Sequence, residues 1–222
     1  MTAQDIIDMG TSQNGYHEKQ SGTPTAALYP FQNAYDGTAN WTKFHNDLSP
    51  FGVTQGQPWC GFFAYWCFYQ LLGSYGMTEA YLYNISNYSL CGGAVSSWAS
   101  AFGANSLYHQ GDGYVPKPGD LVIYEDDGVP WSHVEIVTGV SQWPTYIDTI
   151  GGNTKQPWES GSEDESQWVA ARTRYAAGTT GWRVKGYCEV LYDGVDDLPI
   201  FLIGQAYLRK RYSVPDEDFF EP

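Results

Sequence analysis

Basic side chains are scarce in this 222-residue sequence: 11 Lys and Arg stand against 25 Asp and Glu, a formal net charge of −14. Phosphate binding needs clustered Lys and Arg, and the chain supplies no such cluster, which argues against nucleic acid as a partner. The same charge makes unaided binding to an anionic cell wall weak. Cysteine is also sparse. Its four residues, Cys60, Cys67, Cys91 and Cys188, form no CxxC pair and have no histidine-rich partner at zinc-finger spacing, so no structural zinc site is expected. If one of them is a working nucleophile, an odd number remains, which fits a reducing compartment better than a disulfide framework. No apolar run approaches the length of a membrane span. The opening MTAQDIIDMGTSQNG has neither a basic n-region nor a long apolar h-region, so no secretory signal is expected in it.

Aromatic residues are what the chain has in quantity. They make up 17% of the sequence, with 9 Trp and 18 Tyr, which excludes a disordered chain and allows a groove lined with rings. The length suits one domain, or slightly more, around a single core.

In chain order, Ile6, Ile7 and Met9 mark a short helix over Gln4 to Ser12, ended by Gln13-Asn14-Gly15. Gly22 to Gly37 reads as loop, Trp41 to Leu48 as a short helix, and Ser49 to Gln57 as loop again. QPWCGFFAYWCF, from Gln57 to Phe68, then opens an apolar helix starting at Cys60 and stopping at Gly73. The polar and tyrosine-rich stretch from Met77 to Cys91 has no clear period. Val95, Trp98 and Phe102 predict a further helix over Ala94 to Phe102. After the turn Pro116-Lys117-Pro118-Gly119-Asp120 come strand patterns over Leu121 to Tyr124, His133 to Val140, Tyr146 to Asn153, Arg172 to Tyr175 and Lys185 to Leu191. Helices followed by an antiparallel meander make an α+β fold.

Two positions suggest chemistry. Cys60 falls at a helix N-terminus, where the unpaired N–H groups favour thiolate over thiol and can face an oxyanion. The run by itself fits a small buried core cysteine better. His133 lies on a predicted strand. Pairing Val140 with Tyr146 would set His133 opposite Asn153 and Glu135 opposite Gly151, close enough for side-chain contact. A histidine held by a neighbouring amide or carboxylate, and facing a thiol, is the nucleophile, base and orienter arrangement of acyl transfer.

The ordered runs PWCGFFAYWC, PKPGDLVIY, HVEIVTG and TIGGNT, with the lead-in Asn14-Gly15-Tyr16-His17-Glu18-Lys19 and the loop around Trp41 to Phe44, resemble the CHAP domain. This is the cysteine- and histidine-dependent amidohydrolase/peptidase domain of phage endolysins and bacterial wall hydrolases. The resemblance implies a papain-like α+β domain over residues 1–192, followed by an extension, 193–222, serving as linker or docking tail. It implies Cys60 as nucleophile, His133 as general base and Asn153 as orienter, acting on peptidoglycan without a cofactor. The family often has a glutamate two positions before the asparagine, where this sequence has Gly151; Glu135 could supply the carboxylate from the neighbouring strand. Asp120 reads as structural, tying its turn. Some members hold calcium ahead of the cysteine, but Asp36, Asn40, Asn46 and Asp47 form no ligand ladder, so no metal is expected. His17, His45 and His109 read as surface or core histidines, and Trp59, Trp131 and Trp158 as rings lining a groove or packing a core.

The expected product of these features is a phage-associated lysin. It would cut either the N-acetylmuramoyl-L-alanine bond or a bond of the stem or cross-bridge, and would act from the host cytoplasm after release or from a virion, docked through residues 194–222. The other readings are a non-catalytic phage tail component that keeps the fold, and an NlpC-like endopeptidase.

Overall fold

The computed structural model describes residues 1–79, 93–111, 113–126, 129–156, 167–177 and 182–192. The expectations for Trp158, for most of the Met77 to Cys91 stretch and for the 193–222 extension lie outside these described residues.

Helix α1 (Ala3–Thr11) starts at a capping box: Thr2 Oγ1 accepts from the Asp5 N–H, and the Asp5 carboxylate accepts from the Thr2 N–H. Its buried face is Ile6, Ile7 and Gly10. Helix α2 (Lys43–Asp47) is capped by Thr42. Helix α3 (Cys60–Glu79) does not stop at Gly73 as its sequence suggests. One glycine inside a helix costs only about 1 kcal/mol relative to alanine, and the buried turns before it outweigh that. From Phe62 to Phe68 every residue of α3 is buried, so the helix has no solvent face over this span. Helix α4 (Val95–Gly103) buries Val95, Trp98 and Phe102 as their spacing indicates.

Among the described residues six strands follow: β1 (Tyr108–Gln110), β2 (Leu121–Asp126), β3 (Val129–Gly139), β4 (Tyr146–Thr154), β5 (Trp168–Tyr175) and β6 (Trp182–Cys188). They form one antiparallel sheet in the order β1-β6-β2-β3-β4-β5. The simple meander expected from sequence therefore holds only from β2 to β5. Strand β6 returns across the sheet to lie between β1 and β2, a long-range choice that no local pattern encodes. Strand β1 has too short an alternation to read from sequence, and β3 and β5 begin earlier than their apolar patterns do.

Helices cover one face of the sheet. Leu121, Ile123, Val134, Ile136 and Ile150 join the side chains of α3 and α4 in the main core. Val122, Tyr124, Val137, Ile147 and Tyr187 form a smaller cluster on the opposite face. This alternation along β3 puts His133 and Glu135 on the same face as Val137, away from Val134 and Ile136.

The β3–β4 register is the expected one in its interior, with Ile136 opposite Ile150 and Val137 opposite Thr149. It is reached differently. A bulge between Val137 and Gly139 sets Gly139 opposite Asp148, so Val140 and Tyr146 do not pair. Two consecutive glycines of β4 then make room on opposite faces. A Cβ at Gly152 would come within 2.5 Å of Phe63 Cβ, so glycine lets α3 lie against the strand. A Cβ at Gly151 would come within 2.6 Å of Glu135 Cγ.

Candidate active site

The first turn of α3 delivers Cys60 to the N-terminal half of β3. There the thiol meets the His133 ring, with the backbone N–H groups of Val134 and Gly61 beside its sulfur. Burial alone would push the thiol up. The imidazolium of His133 and these backbone donors outweigh it and hold Cys60 below its ordinary value. Burial likewise opposes the imidazolium, yet the thiolate of Cys60 and the carboxylate of Glu135 raise His133 to about 9. The pair therefore favours thiolate and imidazolium. Cys67 and Cys188 are also buried, and burial pushes both thiols up without comparable compensation.

His133 Nε2 meets Glu135 Oε1 at 3.2 Å, which leaves Nδ1 for the thiol. The two residues are i and i+2 on one strand face, so they are neighbours by the pleat itself. Glu135 is fully buried, and its carboxylate is held from several sides. Thr149 Oγ1 donates to Oε2 at 2.7 Å, Arg174 donates to Oε1 and Oε2 at 2.5 and 3.1 Å, and the Tyr124 hydroxyl lies 3.4 Å from Oε2. Burial works against the anion. The Arg174 guanidinium and His133 overcome it and keep the carboxyl far below its usual range. Rings pack around the imidazole, with Trp182 at 5.4 Å and Tyr124 at 6.2 Å between centroids.

Asn153 is placed differently from its sequence expectation. The β4–β5 pairing is irregular between Gly151 and Thr154, and Asn153 adopts a left-handed φ of 54°. This breaks the alternation that would have set it opposite His133. The ring's partners are Cys60 and Glu135, and Asn153 instead lines the cleft above them.

That cleft has a volume of about 910 Å³ and opens onto both Cys60 and His133. Glu18, Asn40, Asn153 and Gln167 contribute a polar side, and Trp131 and Trp182 an aromatic one. Among the described residues four non-glycines have positive φ, and three of them, Asn40, Trp131 and Asn153, line this cleft. Backbone strain of this kind, about 1–3 kcal/mol per residue, concentrates at functional sites. Glu18 was not singled out by sequence. Its carboxylate accepts from Trp59 Nε1 at 2.7 Å and from the Asn40 N–H at 3.0 Å, and burial raises its pKa. Trp59 is thereby a buried core ring, whereas Trp131 faces the cleft.

The remaining candidates have separate partners. Asp120 ties its turn by accepting from the Lys117 and Val190 N–H groups and the Tyr114 hydroxyl. Asp36 pairs with Lys19, while Asp47 accepts from Tyr29 and Trp66. Among the described residues no group of three or more His, Cys, Asp or Glu is arranged to hold a metal. His17 contacts Gln167 and the Glu18 carbonyl, His45 contacts Thr42, and His109 pairs with Glu189.

Residues 52–153 match the CHAP domain family. The matched segment is of the CHAP type. Such domains are in general cysteine- and histidine-dependent hydrolases of peptidoglycan amide bonds. No curated protein matches the chain at a significant level. A solved structure described as the crystal structure of Ly7917 is similar at 13% identity, with a TM-score of 0.44, over 85% of this chain and 62% of that one. The chain thus spans under two thirds of that protein's length. The matched CHAP segment ends at residue 153, so Gln167, Arg174 and Trp182, from β5 and β6 and the loop before them, lie beyond it. No helix among the described residues is long and apolar enough to cross a membrane.

Proposed function

We propose that this protein is a peptidoglycan hydrolase of the phage-lysin type, cutting an amide bond with Cys60 as nucleophile and His133 as general base. The observation that carries this reading is the Cys60 thiol at the head of α3, set against an imidazole whose Nε2 is held by Glu135. Nδ1 of His133 takes the thiol proton and the sulfur attacks the carbonyl carbon. The N–H groups at the head of α3 stabilise the oxyanion. The imidazolium then gives its proton to the departing amine. Water, deprotonated by His133, hydrolyses the thioester and restores the thiol. No step calls for a metal or a cofactor. Glu135 is the orienter in this scheme, and Asn153, on the cleft wall, is assigned to the substrate.

The target bond is the N-acetylmuramoyl-L-alanine amide or an amide of the stem or cross-bridge. The acidic chain is poorly suited to adhere to anionic walls by itself. Delivery by holin-mediated release or by a virion protein docked on residues 194–222 fits that charge.

Turbidity loss of purified Gram-positive walls, with wild type and Cys60→Ser side by side, tests the reading. Clearing by wild type alone supports it, and mass spectrometry of the fragments separates amidase from endopeptidase by the new amino termini. If wild type clears no walls from several species, or Cys60→Ser clears them equally, the reading falls and a non-catalytic particle component takes its place.

A further inference from the structure

The buried carboxylate of Glu135 touches the cleft only through His133, and its strongest partner comes from outside the matched CHAP segment. Arg174, on β5, donates two hydrogen bonds to it in a forked geometry and a third to Thr154 Oγ1 at 3.1 Å. The guanidinium also lies over the rings of Tyr124 and Trp182, at 5.7 and 5.3 Å. Its side chain is 11% exposed, so both ends of the ion pair are screened from water.

The arrangement bears on proton bookkeeping. In the proposed cycle His133 alternates between imidazolium and neutral imidazole. When it is an imidazolium, Glu135 has a counter-charge in the ring itself. When it is neutral, a buried carboxylate without another cation would be driven to take up a proton. A protonated Glu135 would donate to Nε2, and the neutral ring would then carry its own proton on Nδ1. That tautomer has no lone pair facing Cys60 and cannot accept the thiol proton. The titratable and charged groups facing Glu135 are Tyr124 from β2, His133 from its own strand and Arg174 from β5, while β4 offers only the neutral Thr149. Arg174 is thus the single permanent cation on this carboxylate among the described residues.

We infer that Arg174 is a positioning residue. By keeping Glu135 anionic in both states of the cycle, it holds neutral His133 in the Nε2–H tautomer and so leaves Nδ1 free to take the Cys60 proton. The inference rests on the Cys60–His133 reading of the site. It extends the working unit from α3 to β5, beyond the matched segment.

The test is nitrogen NMR of histidine-labelled full-length protein in a Cys60→Ala background, with His133 assigned by its absence in His133→Ala and spectra taken where the ring is neutral. Wild-type Arg174 is expected to give the Nε2–H signature. Arg174→Met and Arg174→Gln are expected to give Nδ1–H, and Arg174→Lys to return to Nε2–H. With Cys60 in place, either neutral variant should lose about 100-fold or more in turnover on walls, with the half-saturating wall concentration within twofold of wild type. Glu135→Gln with Arg174→Met should be no slower than Glu135→Gln alone. A folded neutral variant that keeps both Nε2–H and wild-type turnover overturns the inference. So does an Nδ1–H ring with Arg174 present, which decides the matter even if the neutral variants do not fold. The tautomer is read without any substrate, so a failure of wall clearing would sink the proposed function and leave this result standing.

Discussion

At the scale of single residues, the chemistry is set by which buried charges are compensated. Cys60, Cys67 and Cys188 are all buried thiols, yet only Cys60 has an imidazolium against it, and only Cys60 is held below its ordinary value. Iodoacetamide at pH 7 is therefore expected to modify Cys60 well before Cys67 or Cys188, as read by peptide mapping; equal modification of the three would contradict the ion pair. His133 is raised above its ordinary value, so its protonated form persists through neutral pH and is lost as pH rises through about 9. Wall-clearing activity should fall over that alkaline range, because the departing amine then lacks its acid. Gly151→Ala places a methyl 2.6 Å from Glu135 Cγ. The carboxylate cannot yield without leaving Arg174 or His133, so the variant should lose activity at least 10-fold and about 1–3 kcal/mol of stability, measured by turbidity and thermal melting.

At the scale of elements, the four groups of the proposed site come from three pieces of structure. The helix end gives the thiol, β3 gives both the imidazole and its carboxylate, and β5 gives the guanidinium. Strand β6 lies between β1 and β2, so it is interior to the sheet rather than an edge addition. A chain cut after Asn153 would retain the whole matched CHAP segment but lose β5 and β6. It should fail to show a cooperative thermal transition and should not clear walls. An active, folded fragment ending there would mean that neither Arg174 nor the β6 pairing is required.

For the whole molecule the dominant quantity is its charge of −14. Against a polyanionic wall this charge repels at a range set by the Debye length, roughly 30 Å at 0.01 M salt and 8 Å at physiological ionic strength. Raising salt from about 0.01 to 0.15 M is thus expected to speed clearing, the reverse of what a cationic wall-binding protein shows. A rate that falls with salt would point to a local basic contact outweighing the net charge.

Much of the local structure was legible in the sequence, because period and punctuation are local properties. The helix beginning at Cys60, the Gly119-Asp120 turn and the two strands holding His133 and Asn153 follow from alternation, capping chemistry and turn residues, and together they suffice for an α+β fold with a cysteine and a histidine brought near one another. Helix α3 ran past Gly73 because a propensity penalty of about 1 kcal/mol is small beside burial. The insertion of β6 beside β2 depends on pairing between residues far apart in the chain, which no window of sequence contains. The same holds for the partners of His133. Sequence put Asn153 opposite His133 and Glu135 opposite Gly151 as a substitute carboxylate; a left-handed residue at the end of β4 takes Asn153 to the cleft wall, and an arginine on β5 holds Glu135 beside the ring. Residue types and local periods were thus determined by the sequence alone; which buried charge faces which was decided by tertiary packing, since a carboxylate can stay ionised in the interior only where the fold brings it enough donors.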